Sequence, residues 1–255
     1  MIRHRRMKVT GAGDDATIGG GAWKRTRRCF VRVDAASKER SMPAASSLRS
    51  AMVDAQIAAR GVRDPAVLGA MRVVPRERFV PAHLRELAYE DMALPIEAGQ
   101  TISQPYIVAY MIESAGIARG AHVLEIGAGS GYAAAVMSRI ADKVYAVERL
   151  AELADRARER MAALGYTNVE IRTRDGIDGW PEAAPFDAIL VAAAARSIPE
   201  RLPWQLAIGG HLVMPVGKRD QQRLVRVTRR ATAAFDEACL GDVRFVPLIS
   251  AHGQA

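Results

Sequence analysis

The sequence predicts an α/β fold: a mostly parallel sheet with an antiparallel end, preceded by an N-terminal helical extension. Three observations lead there. Short apolar runs alternate with helix-length segments between His122 and Gly217. A turn with glycine at alternate positions, Gly127, Gly129 and Gly131, joins the first run to an apolar segment of helical length, the layout of a ligand site at the carboxyl end of a strand in an open α/β sheet. The last two apolar runs succeed one another with no helical pattern between them, so they should pair as antiparallel neighbours.

Each element has its own local signal. Leu48, Met52, Ile57 and Val62 mark a helix ending at Gly61, and Asp64-Pro65 supplies an N-cap and first-turn proline for a second. Residues 76–89 hold a third short helix and a proline-marked turn. Residues 93–102 read as an irregular loop. Ser103 then fits as the N-cap of a helix running to about Ile117, with Pro105 in its first turn. Strands are expected at 122–126, 144–148, 169–172, 186–193 and 209–217. Helices are expected at 132–140, at 149–164 (closed by Gly165) and at 198–207. Residues 223–228 and 241–248 form the closing antiparallel pair, with Phe235 in the loop between them.

Composition narrows the function. The 255 residues carry a formal charge of +8, and residues 1–50 account for all of it, with 12 Lys+Arg against 4 Asp+Glu. The remaining residues hold 24 of each sign. Residues 1–46 are therefore read as a disordered basic arm. Residues 47–255 are read as a single domain, with a helical lead and active-site loop over 47–118 and the sheet core over 119–255. No apolar run approaches the roughly 18 residues of a membrane helix, and no secretory leader is visible. Cys29 and Cys239 make neither a disulfide framework nor a metal-ligand pattern. A reduced, cytoplasmic protein with no metal is expected.

The stretch Val123-Leu-Glu-Ile-Gly-Ala-Gly-Ser-Gly-Tyr132 carries the chemistry. It is not a dinucleotide fingerprint, because the third glycine comes one residue early and Tyr132 stands where a small residue belongs. No Lys-Ser/Thr pair comes after it, so it is not a P-loop either. Glu125 would repel a pyrophosphate but suits a ligand bearing an ammonium and a sulfonium. Glu148 ends the next strand 21 residues after Gly127, the offset of an acid that binds both ribose hydroxyls. The glycine pattern with its upstream acid resembles motif I of the Rossmann-like S-adenosylmethionine-dependent methyltransferase fold.

Several stretches together resemble one family, the protein-L-isoaspartate (D-aspartate) O-methyltransferases. They are Val74-Pro-Arg-Glu-Arg-Phe-Val-Pro81, Gly99-Gln-Thr-Ile-Ser-Gln-Pro-Tyr106, the 123–132 motif, Val147-Glu-Arg149, Asp175-Gly176 and residues 209–217. The Thr-Ile-Ser-Gln-Pro segment is the specific one. The resemblance implies that Ser103 is the active-site serine and that the cofactor is S-adenosylmethionine. It implies cofactor contacts from Ile102, Ser103, Glu125, Gly127, Gly129, Gly131, Tyr132, Glu148, Arg149, Asp175 and Gly176. Thr101, Ala192 and Ala193 fall on the substrate side, and Ala192 departs from a position where relatives often carry Thr or Gly.

The implied substrate is the free α-carboxylate of L-isoaspartyl, and D-aspartyl, residues in damaged proteins and peptides. The implied enzyme acts as a monomer, with no metal, membrane or nucleic acid as partner. Two alternatives stand beside this reading. One is a small-molecule carboxyl methyltransferase on the same fold. The other is a nucleic-acid-binding protein acting through the basic arm, against which the charge-neutral body argues.

Overall fold

The helical lead forms as its caps dictate. Helix α1 (Ala45–Met52) passes through a π turn, Val53–Ile57, and a 3-10 turn, Ala58–Arg60, and stops at Gly61, whose φ of 102° other residues avoid. Helix α2 (Pro65–Val73) starts on Asp64, whose carboxylate accepts from the backbone N–H groups of Ala66 and Val67. Such a cap is worth about 1 kcal/mol. The third helix of the lead is replaced by two 3-10 segments, Arg76–Arg78 and Ala82–Leu87. The prolines at 75 and 81 interrupt any longer run.

The structure, a computed structural model, describes residues 44–218 and 220–250, with the backbone alone at 253–254. The described residues belong to one compact unit. The basic arm expected over 1–46 lies outside them except for its last three residues. Two of those, Ala45 and Ser46, already belong to α1.

The expected loop 93–102 is a small hairpin. Strand β1 (Leu94–Pro95) pairs antiparallel with β2 (Thr101–Ile102) around a 3-10 turn, Glu97–Gly99. Helix α3 (Pro105–Ser114) comes next, with Gln104 at its N-cap and no side-chain cap bond. Ser103 therefore does not cap it, correcting the expectation from spacing. Pro105 at the first helical position places the cap at residue 104, one residue past the serine.

Seven strands make the main sheet: β3 (His122–Ile126), β4 (Lys143–Glu148), β5 (Val169–Thr173), β6 (Phe186–Val191), β7 (Leu206–Lys218), β8 (Gln221–Ala231) and β9 (Ala234–Val243). Their order is β5-β4-β3-β6-β7-β8-β9. The pairs from β5 to β7 are parallel, and β7-β8 and β8-β9 are antiparallel. Helix α4 (Tyr132–Met137) comes after β3, and α5 (Ala151–Leu164) comes after β4 and ends at Gly165. The last strand starts at Ala234 rather than 241, so Phe235 lies within β9 and not in a loop. A short β10 (Ile249–Ser250) pairs with β11 (Gly253–Gln254).

The two faces of the sheet are covered differently. All five α-helices of the described residues contribute to the cluster built on Val123, Val144 and Ala188. The opposite cluster, on Leu124, Ile126 and Ile189, is closed by Trp180, Leu202 and Leu248 from turns and loops. The helix expected over 198–207 would have covered this face, but only the turn Pro203–Gln205 forms there. Pro203 would remove a backbone bond from the middle of such a helix and clash with the preceding turn.

Candidate active site

The chain order reverses between β3 and β6, so their carboxyl ends splay apart and leave a crevice. The floor of this cleft is backbone tied to the sheet. Gly127 donates to Val147 O at 2.8 Å, and Ala192 donates to Ile126 O at 2.8 Å. The glycine turn then climbs to α4 through Gly131, where φ is 85° and an added Cβ would meet the Met161 methyl at 2.7 Å. Gly131 thus serves helix packing beneath the cleft. Across the cleft, an added Cβ on Gly176 would strike Ile126 Cγ2 at 2.3 Å.

Two buried acids face this cleft in different states. Glu148 Oε2 accepts from Gly129 N and Oε1 accepts from Leu150 N, both at 2.9 Å. Glu125 keeps Oε2 with no partner among the described residues. Burial, then the charge of Glu148, pushes the Glu125 carboxyl up to about 8, while the Ala134 N–H pulls it back down. An orphaned buried carboxyl oxygen on a cleft wall is costly unless a ligand meets it. A cationic ligand with a hydroxylated ring suits this pair of acids.

The roof comes from two segments outside the parallel sheet. The β1-β2 hairpin brings Gln100 to Ser103 over the cleft. Arg76, fully buried, holds it there: Nη2 donates to Ser103 O and Nε donates to Ala88 O, both at 2.8 Å. Its guanidinium also lies 4.8 Å from the centre of the Tyr132 ring. The second segment is a strap after β9, in which Val246, Pro247, Leu248 and Ile249 line the cleft. Ala194 fixes it through two backbone bonds, to Val246 O at 2.8 Å and from Leu248 N at 2.7 Å.

A second cavity, a groove of about 1740 Å³, opens beside the cleft. Thr101, Ser103, Ala192, Val246 and Pro247 line both cavities, so they mark where the two meet. The Ser103 hydroxyl has no hydrogen-bond partner among the described residues. Burial alone would fit an apolar ligand in the groove, but Arg60, Arg196, Arg223 and Arg244 with Asp91, Asp220 and Asp242 make its walls polar.

The structure gathers Thr101, Ile102, Ser103, Glu125, Gly127, Gly129, Tyr132, Glu148, Arg149, Gly176, Ala192 and Ala193 around one cleft. Gly131 and Asp175 do not line it. Asp175 starts the turn before Gly176, with Oδ1 accepting from Ile177 N at 3.1 Å. Sequence reasoning missed the strap, because residues 241–248 read as strand. The signal that could have exposed it is Pro247, which interrupts an otherwise strand-like apolar run.

This sheet order, with a glycine turn at the switch point and an acid ending the next strand, defines an S-adenosylmethionine-dependent methyltransferase. The comparisons narrow the class. A family model described as protein-L-isoaspartate(D-aspartate) O-methyltransferase matches residues 47–253. A protein-L-isoaspartate O-methyltransferase of Rhodopseudomonas palustris is 59% identical over 203 residues, covering 79% of this chain and 93% of that protein. One from Pelobacter propionicus is 57% identical over 206 residues, covering 80% and 92%. Among solved structures, a protein-L-isoaspartate O-methyltransferase superimposes with a TM-score of 0.70 at 31% identity, over 78% of this chain and 65% of that one. A candidate enzyme of the same kind from Plasmodium falciparum, in complex with S-adenosyl-L-homocysteine, gives 0.69 at 26% identity over 78% and 97%. The chain belongs to the protein-L-isoaspartate(D-aspartate) O-methyltransferase family. No helix among its described residues is long and apolar enough to cross a membrane.

Proposed function

We propose that this protein methylates the α-carboxylate of L-isoaspartyl, and D-aspartyl, residues in damaged proteins, and so begins their repair through a succinimide. The observation that carries the reading is the shared line of Thr101, Ser103 and Ala192 between an acid-walled cleft and a groove. The groove's volume exceeds that of ordinary small-ligand pockets, roughly 300–1,000 Å³, which favours an extended peptide over a small acid.

S-adenosylmethionine, when bound, supplies a methyl group on a positively charged sulfur. Glu148 would take the ribose hydroxyls, with its two backbone donors holding the carboxylate in place. Glu125 would face the cationic end with its free oxygen. Ile102, Arg149 and Gly176 would close the remaining walls. A substrate carboxylate with a pKa near 4 is already ionised at pH 7, so no general base is needed. None of the described histidines, His83, His122 and His211, lines either cavity. Ser103 would donate its unpaired hydroxyl to orient the substrate carboxylate. Holding the reactants in line is worth roughly 7–11 kcal/mol.

An isoaspartyl residue offers its carboxylate directly on the α-carbon, whereas an aspartyl residue offers one across a methylene. A displacement of about 1 Å at the reacting atoms can cost on the order of 10²-fold in rate. Methyl transfer from labelled S-adenosylmethionine should therefore favour isoaspartyl peptides over aspartyl peptides of identical sequence by at least that order. Ser103→Ala should lower turnover with little change in melting temperature. Equal reaction of both isomers would remove the substrate assignment.

A further inference from the structure

The strap that roofs the cleft is held at its near end by one side chain. Gln222 on β8 is 5% exposed, and its backbone pairs with Val243 at the end of β9. Its side-chain amide reaches past that pairing to the next residue but one. Nε2 donates to Phe245 O at 3.1 Å, and Oε1 accepts from Phe245 N at 2.6 Å. Both halves of the amide are used, so its orientation is determined by its partners. The side chain thereby stands in for a strand where β9 has ended.

Immediately beyond Phe245 the chain forms the wall common to the two cavities. Val246 and Pro247 line both the cleft and the groove, and Leu248 lines the cleft. Ala194 pins the far end through Val246 O and Leu248 N. That anchor is backbone and indifferent to side-chain identity. Gln222 is the anchor that a substitution can remove.

We propose that Gln222 is a positioning residue: by clamping the Phe245 backbone it sets the strap 244–248 as the shared wall, and so governs cofactor retention and peptide fit together. The inference rests on the proposal that the cleft binds S-adenosylmethionine. Gln222 lines the groove but not the cleft, so its effect should fall on binding more than on turnover.

The test uses the full chain, with S-adenosylhomocysteine as the probe. Gln222→Met keeps the length and loses both bonds, whereas Gln222→Glu keeps the acceptor for Phe245 N–H. Losing two buried bonds of ordinary strength should weaken S-adenosylhomocysteine binding about tenfold in the Met variant and less in the Glu variant. The isoaspartyl-peptide KM should rise in parallel, with kcat at saturation within about twofold. Amide exchange should speed up at Phe245 and Leu248 while Val225 and Val227 inside β8 stay protected. In the unmodified protein, S-adenosylhomocysteine should slow exchange at the same two amides.

Wild-type Kd and KM in Gln222→Met would overturn the inference. So would exchange that rises along the whole of β8, which marks a merely structural role, or no ligand-linked protection in the unmodified chain. If the unmodified chain fails to bind S-adenosylhomocysteine at all, the cofactor reading itself fails and takes this inference with it. Should Gln222→Met not fold, the Glu variant and the exchange of the unmodified chain still decide.

Discussion

The floor and the roof of the cleft are built on different principles. The floor is the ends of β3, β4 and β6, where neighbouring strands bond one another directly and Glu148 is clasped by two main-chain donors. The roof is the 94–102 hairpin and the strap after β9. Each is tied down in part by a side chain that reaches a distant backbone: Arg76 to Ser103, 27 residues away, and Gln222 to Phe245, 23 residues away. A floor locked into a parallel sheet opens only with the sheet. A roof tied to the body through side chains and a few loop bonds shares fewer direct strand bonds with it than the floor does. On the proposed function, the floor would recognise the cofactor and the roof would form the wall where cofactor and peptide meet.

The largest expected effect tests the floor. Glu148 uses both oxygens as acceptors, and Glu148→Gln would put an amide NH₂ against one of the two backbone N–H groups. It would also weaken the proposed charge-assisted contact to the ribose, worth about 1.5–3 kcal/mol. S-adenosylhomocysteine affinity should fall roughly 10- to 100-fold, read by calorimetry. Wild-type affinity in this variant would shift the burden of recognition from floor to roof.

The next effect tests Glu125 by pH. Burial and the neighbouring Glu148 push free Glu125 up to about 8. A cationic ligand lowers that value, so binding below pH 8 must release a proton. Affinity should accordingly rise with pH, by up to about tenfold per unit as pH climbs toward 8, and level off above it. Calorimetry in buffers of different ionisation enthalpy would read the released proton. Glu125→Gln should abolish the slope, and subtracting its profile cancels titration of the ligand's own amine. A slope that survives in Glu125→Gln would assign the proton elsewhere.

The same contrast explains what could be read from the sequence. The floor is local: the glycine turn, the strand before it and Glu148 at the next strand end are all set by backbone requirements within about thirty residues. Asp64 as a cap and Gly165 as a helix stop were legible for the same reason. The roof was not, since neither periodicity nor composition reports that Arg76 meets Ser103 or that Gln222 meets Phe245. Ser103 shows the difference within one residue. Its spacing before Pro105 suggested a cap, and only the tertiary arrangement turns its hydroxyl into an unpaired group at the junction of two cavities. The helix expected over 198–207 failed where an apolar pattern outweighed the breaking effect of Pro203.

The smallest effect tests whether the roof is merely hung or also held under tension. Ala98, at the tip of the hairpin, has φ 53° and ψ 28°, a left-handed conformation in a residue that carries a Cβ. Left-handed backbone costs a non-glycine residue about 1–2 kcal/mol. Glycine would relieve that cost but lose more freedom on folding, by about 0.5–1 kcal/mol. Ala98→Gly should therefore stabilise the protein by about 0.5–1 kcal/mol, raising Tm by about 1–4 °C for a chain of this size. If the strain is confined to the tip, isoaspartyl methylation should stay within about twofold of the parent, because Leu94–Ile102 pairing and the Arg76 bond to Ser103 are untouched. A gain in Tm joined to a marked loss of turnover would mean that the strained tip presses Thr101 to Ser103 into place, and the roof would then share the floor's rigidity.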